Sequence, residues 1–222
     1  MHPQRWILIA ALAIAGGYVW LSGGFVGVVA AMRPASAPAA AQSAAEVQKK
    51  GLELATFASG CFWCTEADFD KVRGVVTTTS GYTGGTVPNP TYKQVSAGAT
   101  GHAEAVQVVF DPSVVSYEQL LEQYWRNVDP FVAQRQFCDV GSQYRPAIFV
   151  HSDSQRAAAE ASKVRMQQRF RQAIVVAITA AGPFYRAEDY HQDYYKKNSA
   201  QYRFYRFGCG RDRRLAEIWA EG

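Results

Sequence analysis

The sequence predicts an α+β fold: a single-domain, two-layer sandwich with a mixed sheet and flanking helices, preceded by an N-terminal hydrophobic segment. Three observations lead there. Short alternating or β-branched apolar runs are interleaved with longer stretches of helical period, the two kinds do not recur in a fixed βαβ register, and no internal repeat occurs. With 222 residues, 48% of them hydrophobic and 19% charged, the chain can bury one sizeable core and is too apolar to be disordered. A net charge of +4 is too small to imply nucleic acid by itself.

Between Trp6 and Met32 no Asp, Glu, Lys or Arg occurs. Roughly 20 apolar residues span a bilayer, whereas the apolar core of a secretory signal is about 7–15 residues, so residues 1–32 read as a signal anchor or signal peptide. Small-residue sites such as Ala35-Ser36-Ala37 keep cleavage open. Residues 33–50, rich in Ala, Pro and Ser, read as a tether, which leaves 51–222 as the domain. Arg5 weakly favours a cytoplasmic N-terminus, with the domain anchored or exported on the periplasmic side of the inner membrane.

Within the domain, "LELATFA" alternates as a strand, Ser59-Gly60 breaks it, and Phe62, Glu66, Phe69 and Val72 then recur at helical offsets. "GVVTTTSGYTGG" is a β-branched strand entering a glycine-rich loop, and "PNPTYKQVSAG" is irregular with one helical turn. "HAEAVQVVFDP" alternates as a half-buried strand. Ser116 caps a helix with Leu120, Leu121, Tyr124, Trp125 and Val128 on one stripe. A long loop leads to the strand "PAIFVHS", the helix "DSQRAAAEASKVRMQQRF", the strand "AIVVAITA" and the helix "EDYHQDYYKKN". Arg165, Arg169 and Arg171 read as a solvated face. The final stretch, Lys196 to Arg214, mixes cations with aromatics as single-strand nucleic-acid grooves do, but is better read as a wrap with Tyr and Phe inward and Arg outward.

Chemistry concentrates at "SGCFWCTE". A strand that stops at glycine and feeds a helix sets Cys61 among unpaired N–H groups at the positive end of the helix dipole. That setting favours a thiolate. Cys64 lies one turn on, within disulfide reach, so a local redox pair is feasible. Two buried structural thiols, a zinc site drawing on Cys61, Cys64, Cys138 and Cys209, and a thioredoxin-like thiol–disulfide oxidoreductase are the alternatives.

"GCFWCTE", "SGYTGG", "PTYKQVSAGATGHAEAVQVVFDP", "FCDVGSQYRPAIF" and "FYRAEDYHQDYYKKN" together resemble the A-type peptide-methionine (S)-S-oxide reductases across the whole domain. The resemblance implies an enzyme of protein repair that reduces the S-epimer of methionine sulfoxide, free or protein-bound, without metal or organic cofactor. It implies Cys61 as nucleophile and Glu104 as the protonated carboxyl that donates to the departing oxygen. Phe62 and Trp63 would hold the ε-methyl, Tyr82 and Tyr144 would grip the oxygen, and Asp139 would fix their network. Attack leaves a sulfenic acid on Cys61. Cys209, in a glycine-flanked C-terminal stretch, ranks first to resolve it, then Cys64, with Cys138 a third choice or relay. A plain Cys138–Cys209 bridge is the structural alternative. His191 reads as packing and hydrogen bonding. The expected partners are methionine sulfoxide in peptides and proteins and a thioredoxin-like reductant; a monomer that binds no nucleic acid is expected.

Overall fold

Alternation and β-branching place the strands, and polar caps place the helices, in the computed structural model, which describes residues 44–220. The hydrophobic run 1–32 and most of the tether lie outside the described residues. In chain order the elements are α1 Ala44–Gln48, β1 Glu53–Ala58, α2 Phe62–Phe69, β2 Val75–Thr83, α3 Tyr92–Ser96, β3 Ala103–Phe110, α4 Tyr117–Arg126, β4 Arg135–Gln136 and β5 Asp139–Val140. A 3-10 turn at Ser142–Tyr144 follows, then β6 Ala147–Val150, α5 Asp153–Arg169, β7 Ala177–Ala180, β8 Phe184–Arg186, α6 Tyr194–Lys197, α7 Ser199–Gly208 and α8 Arg211–Ala220.

Six strands form a mixed sheet in the order β7-β6-β1-β3-β2-β8, antiparallel except for the parallel β6–β7 pair. With its flanking helices this is the expected α+β architecture. On one face Ala55, Phe57, Val106, Val108 and Phe110 pack under Phe62 and Phe69 of α2 and the whole predicted α4 stripe. Ser116 caps α4 as expected, its hydroxyl accepting the Gln119 N–H while Gln119 returns a bond to the Ser116 N–H.

Several expectations change. β3 is buried at all eight positions, because it lies between β1 and β2 with Leu54, Val109 and Val47 closing the face opposite the helices. Val47 is 1% exposed, so the last part of the predicted tether is folded onto the sheet and the domain begins before Gly51. The loop before β6 contains the β4–β5 hairpin, and β8, read as loop, closes the sheet edge on β2. "EDYHQDYYKKN" is helical only at Tyr194–Lys197. Among the described residues no helix is long and apolar enough to cross a membrane.

The C-terminal wrap is inverted in part: Tyr202 is buried and Arg203 and Arg213 are exposed as expected, but the phenylalanines and two other arginines exchange places. Phe204 and Phe207 are 82% and 87% exposed, whereas Arg211 is 2% exposed. The helical period of α7 turns Tyr202 and Arg206 inward together, where the buried carboxylate of Asp68 demands a cation more than the core demands another ring. On α5, Arg165 and Arg169 are exposed as expected, and the Arg169 guanidinium also lies 4.8 Å over the Trp219 ring.

Candidate active site

Gly60 makes the turn that starts α2. Its φ is +92°, and a Cβ there would fall 2.6 Å from Cβ of Gln136, so only glycine fits without moving the hairpin. The next residue, Cys61, is the N-cap, and its carbonyl accepts the N–H of Cys64 (3.1 Å) and of Thr65 (3.3 Å). The predicted position at a helix mouth is therefore correct.

The first free N–H of that helix is already taken. Phe62 N–H donates to Oε2 of Glu104 at 3.1 Å. Glu104 stands on β3 opposite Tyr82 of β2, 2% exposed. Burial drives its carboxyl up to about 8 against the opposing pull of the Phe62 N–H, so it is an acid at neutral pH. A protonated carboxyl is the state that the proton-donor role expected of Glu104 requires.

Cys61 differs from expectation. Its thiol is pushed well above the ordinary value, first by burial, then by its hydrogen bond to Cys64 and by the charge Glu104 carries when ionised. One helix N-terminus does not offset full desolvation of a thiolate. Cys64 is the acidic partner. The bond from Cys61 brings it down to about 7, with Arg211 and Arg206 adding to the effect against its own burial.

Aromatic groups converge on the pair. The Phe62 ring lies 4.9 Å from His191 and 5.9 Å from Tyr82, and Trp63 stacks on Tyr194 at 3.7 Å with Tyr205 edge-on at 5.7 Å. Trp63 Nε1–H donates to Nδ1 of His191 at 3.0 Å, which fixes that ring's tautomer, and burial lowers His191 to about 4. His191 is thus neutral and positions Trp63, as its sequence context suggested. Tyr144 is half-buried, and burial followed by the charges of Glu104, Tyr92, Asp139 and Cys61 holds its proton firmly on the phenol.

Tyr82 is wholly buried, and its hydroxyl donates to Oε2 of Glu188 at 2.8 Å. The proton expected to grip an oxygen is thus engaged by a residue the sequence reading passed over. Glu188 Oε1 also accepts the Tyr92 N–H at 2.8 Å. Tyr92 itself is raised to about 12 by burial and by Glu104 and Cys61 nearby, which places it at the same site. Asp139 accepts from Tyr205 OH at 2.5 Å. Glu188 lay in the quoted "AEDYH" stretch and Tyr92 in the quoted "PTYKQV" stretch, so a signal existed for both, whereas nothing local distinguished Tyr205 from other tyrosines.

Of the four cysteines, Cys61 and Cys64 are free and buried, while Cys138 and Cys209 form a disulfide across 71 residues. Cys138 is exposed. Among the described residues the cluster of potential metal ligands is Cys138, Asp139 and Cys209, and its sulfurs are bonded to each other.

A buried cysteine pair at a helix mouth, a neutral carboxyl beside it, an aromatic surround and a disulfide reaching the surface define a thiol-dependent oxidoreductase. The sequence profile of the peptide methionine sulfoxide reductases matches residues 53–222. Peptide methionine sulfoxide reductase MsrA of Bacillus licheniformis is 52% identical over 169 residues, 75% of this chain and 93% of that protein. Among solved structures, reduced Mxr1 from Saccharomyces cerevisiae superposes with a TM-score of 0.65 at 34% identity, covering 68% of this chain and 87% of that one. Methionine sulfoxide reductase A of Corynebacterium diphtheriae gives a TM-score of 0.60 at 35% identity, covering 67% and 76%. The chain belongs to the peptide methionine sulfoxide reductase family. It reduces methionine sulfoxide to methionine by cysteine chemistry.

Proposed function

We propose that Cys61 attacks the sulfur of an S-configured methionine sulfoxide while Glu104 hands its proton to the oxygen. An S–S bond forms as the Cys61 thiol proton and the Glu104 proton both pass to the oxygen, which leaves as water when the S–O bond breaks. That water attacks the Cys61 sulfur, its proton returns to Glu104, the S–S bond breaks, and methionine leaves with Cys61 as a sulfenic acid. The observation that carries this is Glu104: a buried carboxyl, neutral at pH 7, tied to the residue after Cys61. Phe62 and Trp63 receive the ε-methyl. Tyr144 donates to the oxygen, and Tyr82 and Asp139 hold the surrounding network through Glu188 and Tyr205.

The order of resolving cysteines follows the geometry. Cys64 is hydrogen-bonded to Cys61 and carries the lower pKa, whereas Cys209 is bound to Cys138. We therefore place the first disulfide at Cys61–Cys64, with loss of water, ahead of the expected Cys209. That bond is buried, so a macromolecular donor reaches it poorly. Reduced Cys138 and Cys209 return two electrons to it by thiol–disulfide exchange and become bridged. A thioredoxin-like dithiol then reduces the exposed bridge. Free thiols at Cys61 and Cys64 with a Cys138–Cys209 bond match the state after the exchange.

The uncharged run from Trp6 to Met32 supports anchoring or export on the periplasmic side of the inner membrane; N-terminal sequencing of soluble and membrane fractions tests it. The chemistry is tested by supplying each sulfoxide epimer with dithiothreitol and measuring methionine. Turnover of the S-epimer alone is expected. Insulin reduction without sulfoxide turnover would instead support a thiol–disulfide exchange protein.

A further inference from the structure

The Cys138–Cys209 disulfide sits beside a carboxylate. Cys138 lies in the turn of the β4–β5 hairpin, next in sequence to Asp139, and Cys209 closes the C-terminal end of α7. The two Sγ atoms and an oxygen of Asp139 lie within 4.8 Å of one another. Cys138 is exposed and the other two residues are half-buried, so the group opens to solvent on one side. Its surroundings hold each atom in place. Asp139 Oδ2 accepts the Tyr205 hydroxyl at 2.5 Å, which leaves Oδ1 turned toward Cys138, 3.8 Å from its Sγ. Cys138 N–H donates to Sγ of Cys209 at 3.1 Å, a bond that orients the second sulfur and favours its thiolate once the bridge is open. Phe137, the other residue of the turn, is fixed by Arg135, which donates to its carbonyl at 2.7 Å, and by the Arg211 guanidinium 4.4 Å over its ring.

While the bridge is formed, each sulfur is bonded to the other. Reduction leaves two thiols and a carboxylate together, a sulfur-rich set that suits Zn²⁺ and not Mg²⁺ or Ca²⁺. At Zn–S and Zn–O distances of about 2.3 and 2.1 Å, tetrahedral geometry sets sulfur and oxygen ligands about 3.6 Å apart. The separation of Cys138 Sγ from Asp139 Oδ1 is already 3.8 Å. The two sulfurs need to part to about 3.7 Å, a movement that reduction permits. Tyr205 supplies the hydrogen bond that a metal-bound carboxylate ordinarily accepts. The exposed side gives the ion its entry path and leaves the fourth position to water.

We propose that reduced Cys138 and Cys209, together with Asp139, form a zinc site that exists only while the bridge is open. Binding exchanges two thiol protons for one Zn²⁺, with no change of oxidation state. The ion occupies both sulfurs, so a zinc-loaded pair passes no electrons to a Cys61–Cys64 disulfide. Zinc thereby locks the surface pair in its reduced form and halts recycling. That consequence, unlike the binding itself, rests on Cys138 and Cys209 carrying electrons to the buried pair.

The test uses the full chain, reduced with dithiothreitol, freed of it without air and titrated with Zn²⁺ against a chromophoric chelator. The same titration is run on the chain with Cys138–Cys209 bridged and Cys61 and Cys64 free. Stoichiometric binding is expected for the reduced form and none for the bridged form, a comparison that needs no variant to fold. Co²⁺ in place of Zn²⁺ should give thiolate-to-cobalt charge-transfer absorption in the reduced form alone. Cys138→Ser and Cys209→Ser should each abolish binding, and Tyr205→Phe should weaken it by about 10-fold or more. The double variant Cys61→Ser, Cys64→Ser should bind as the unmutated protein does. No binding by the reduced form, equal binding by the bridged form, or loss of binding in the double variant overturns the inference. Given excess methionine sulfoxide and no external donor, the reduced protein should yield a second methionine per chain, and the zinc-loaded protein should not. Zinc binding with that second methionine still formed would leave the site standing and remove the relay through Cys138 and Cys209.

Discussion

Phe62 N–H and Glu104 Oε2 meet at 3.1 Å across 42 residues of sequence, joining the start of the helix that carries Cys61 to the central strand of the sheet. The contact places an acid at the residue after Cys61 and uses an N–H that the helix cannot satisfy itself.

Glu104 therefore leaves a signature in stability. Its folded value of about 8 lies above the ordinary 4.5, so between those values the folded protein binds more protons than the unfolded chain and stability falls as pH rises. Glu66, also raised to about 8, acts in the same direction. Glu104→Gln should remove one share of this slope in urea titrations and slow the first turnover by about 10²-fold or more. A wild-type slope together with a wild-type first turnover would remove Glu104 from the acid role.

Cys61 should be a sluggish thiol without substrate, because burial and its neighbours keep it protonated. Iodoacetamide labelling, read by peptide mass, should modify Cys61 appreciably only in alkaline solution. Cys61→Ser should give no methionine above the uncatalysed background. Fast labelling of Cys61 at neutral pH would contradict the assigned protonation state.

Cys209→Ala should spare the first turnover and the Cys61–Cys64 bond yet block recycling by a thioredoxin-like donor, while dithiothreitol still supports turnover. Loss of the bridge should also cost about 2–5 kcal/mol of stability. Undiminished recycling by the protein donor would show that the surface disulfide is a clasp and carries no electrons.

His191→Phe should leave the Trp63 N–H without its acceptor and raise KM by about 2–10-fold, the worth of one hydrogen bond. His191 has a folded value near 4, below the ordinary 6.5, so the unfolded chain binds more protons between them. Stability should decline as pH falls through that window in the wild type and not through this group in the variant. If the Trp63→Phe and His191→Phe effects on KM simply add, the two side chains do not act as a unit.

The place of Cys61 was legible because its causes are local: a strand, a glycine with positive φ and a helix start lie within a few residues. The same holds for the Ser116 cap and the α4 stripe, where hydrogen bonds and helical period act over one or two turns. Glu104 was legible only through a matched motif, since a glutamate in an alternating strand gives no local sign of burial on both faces.

Charge and pairing were decided by the tertiary structure. Tyr82 and Glu188 are 106 residues apart, Asp68 and Arg206 are 138 apart, and the disulfide spans 71. The sequence by itself determined which thiol begins the helix. Which thiol is acidic, which cysteines are bonded and whether Arg or Phe faces inward depended on desolvation and on charges brought together by the fold, and neither acts along the chain.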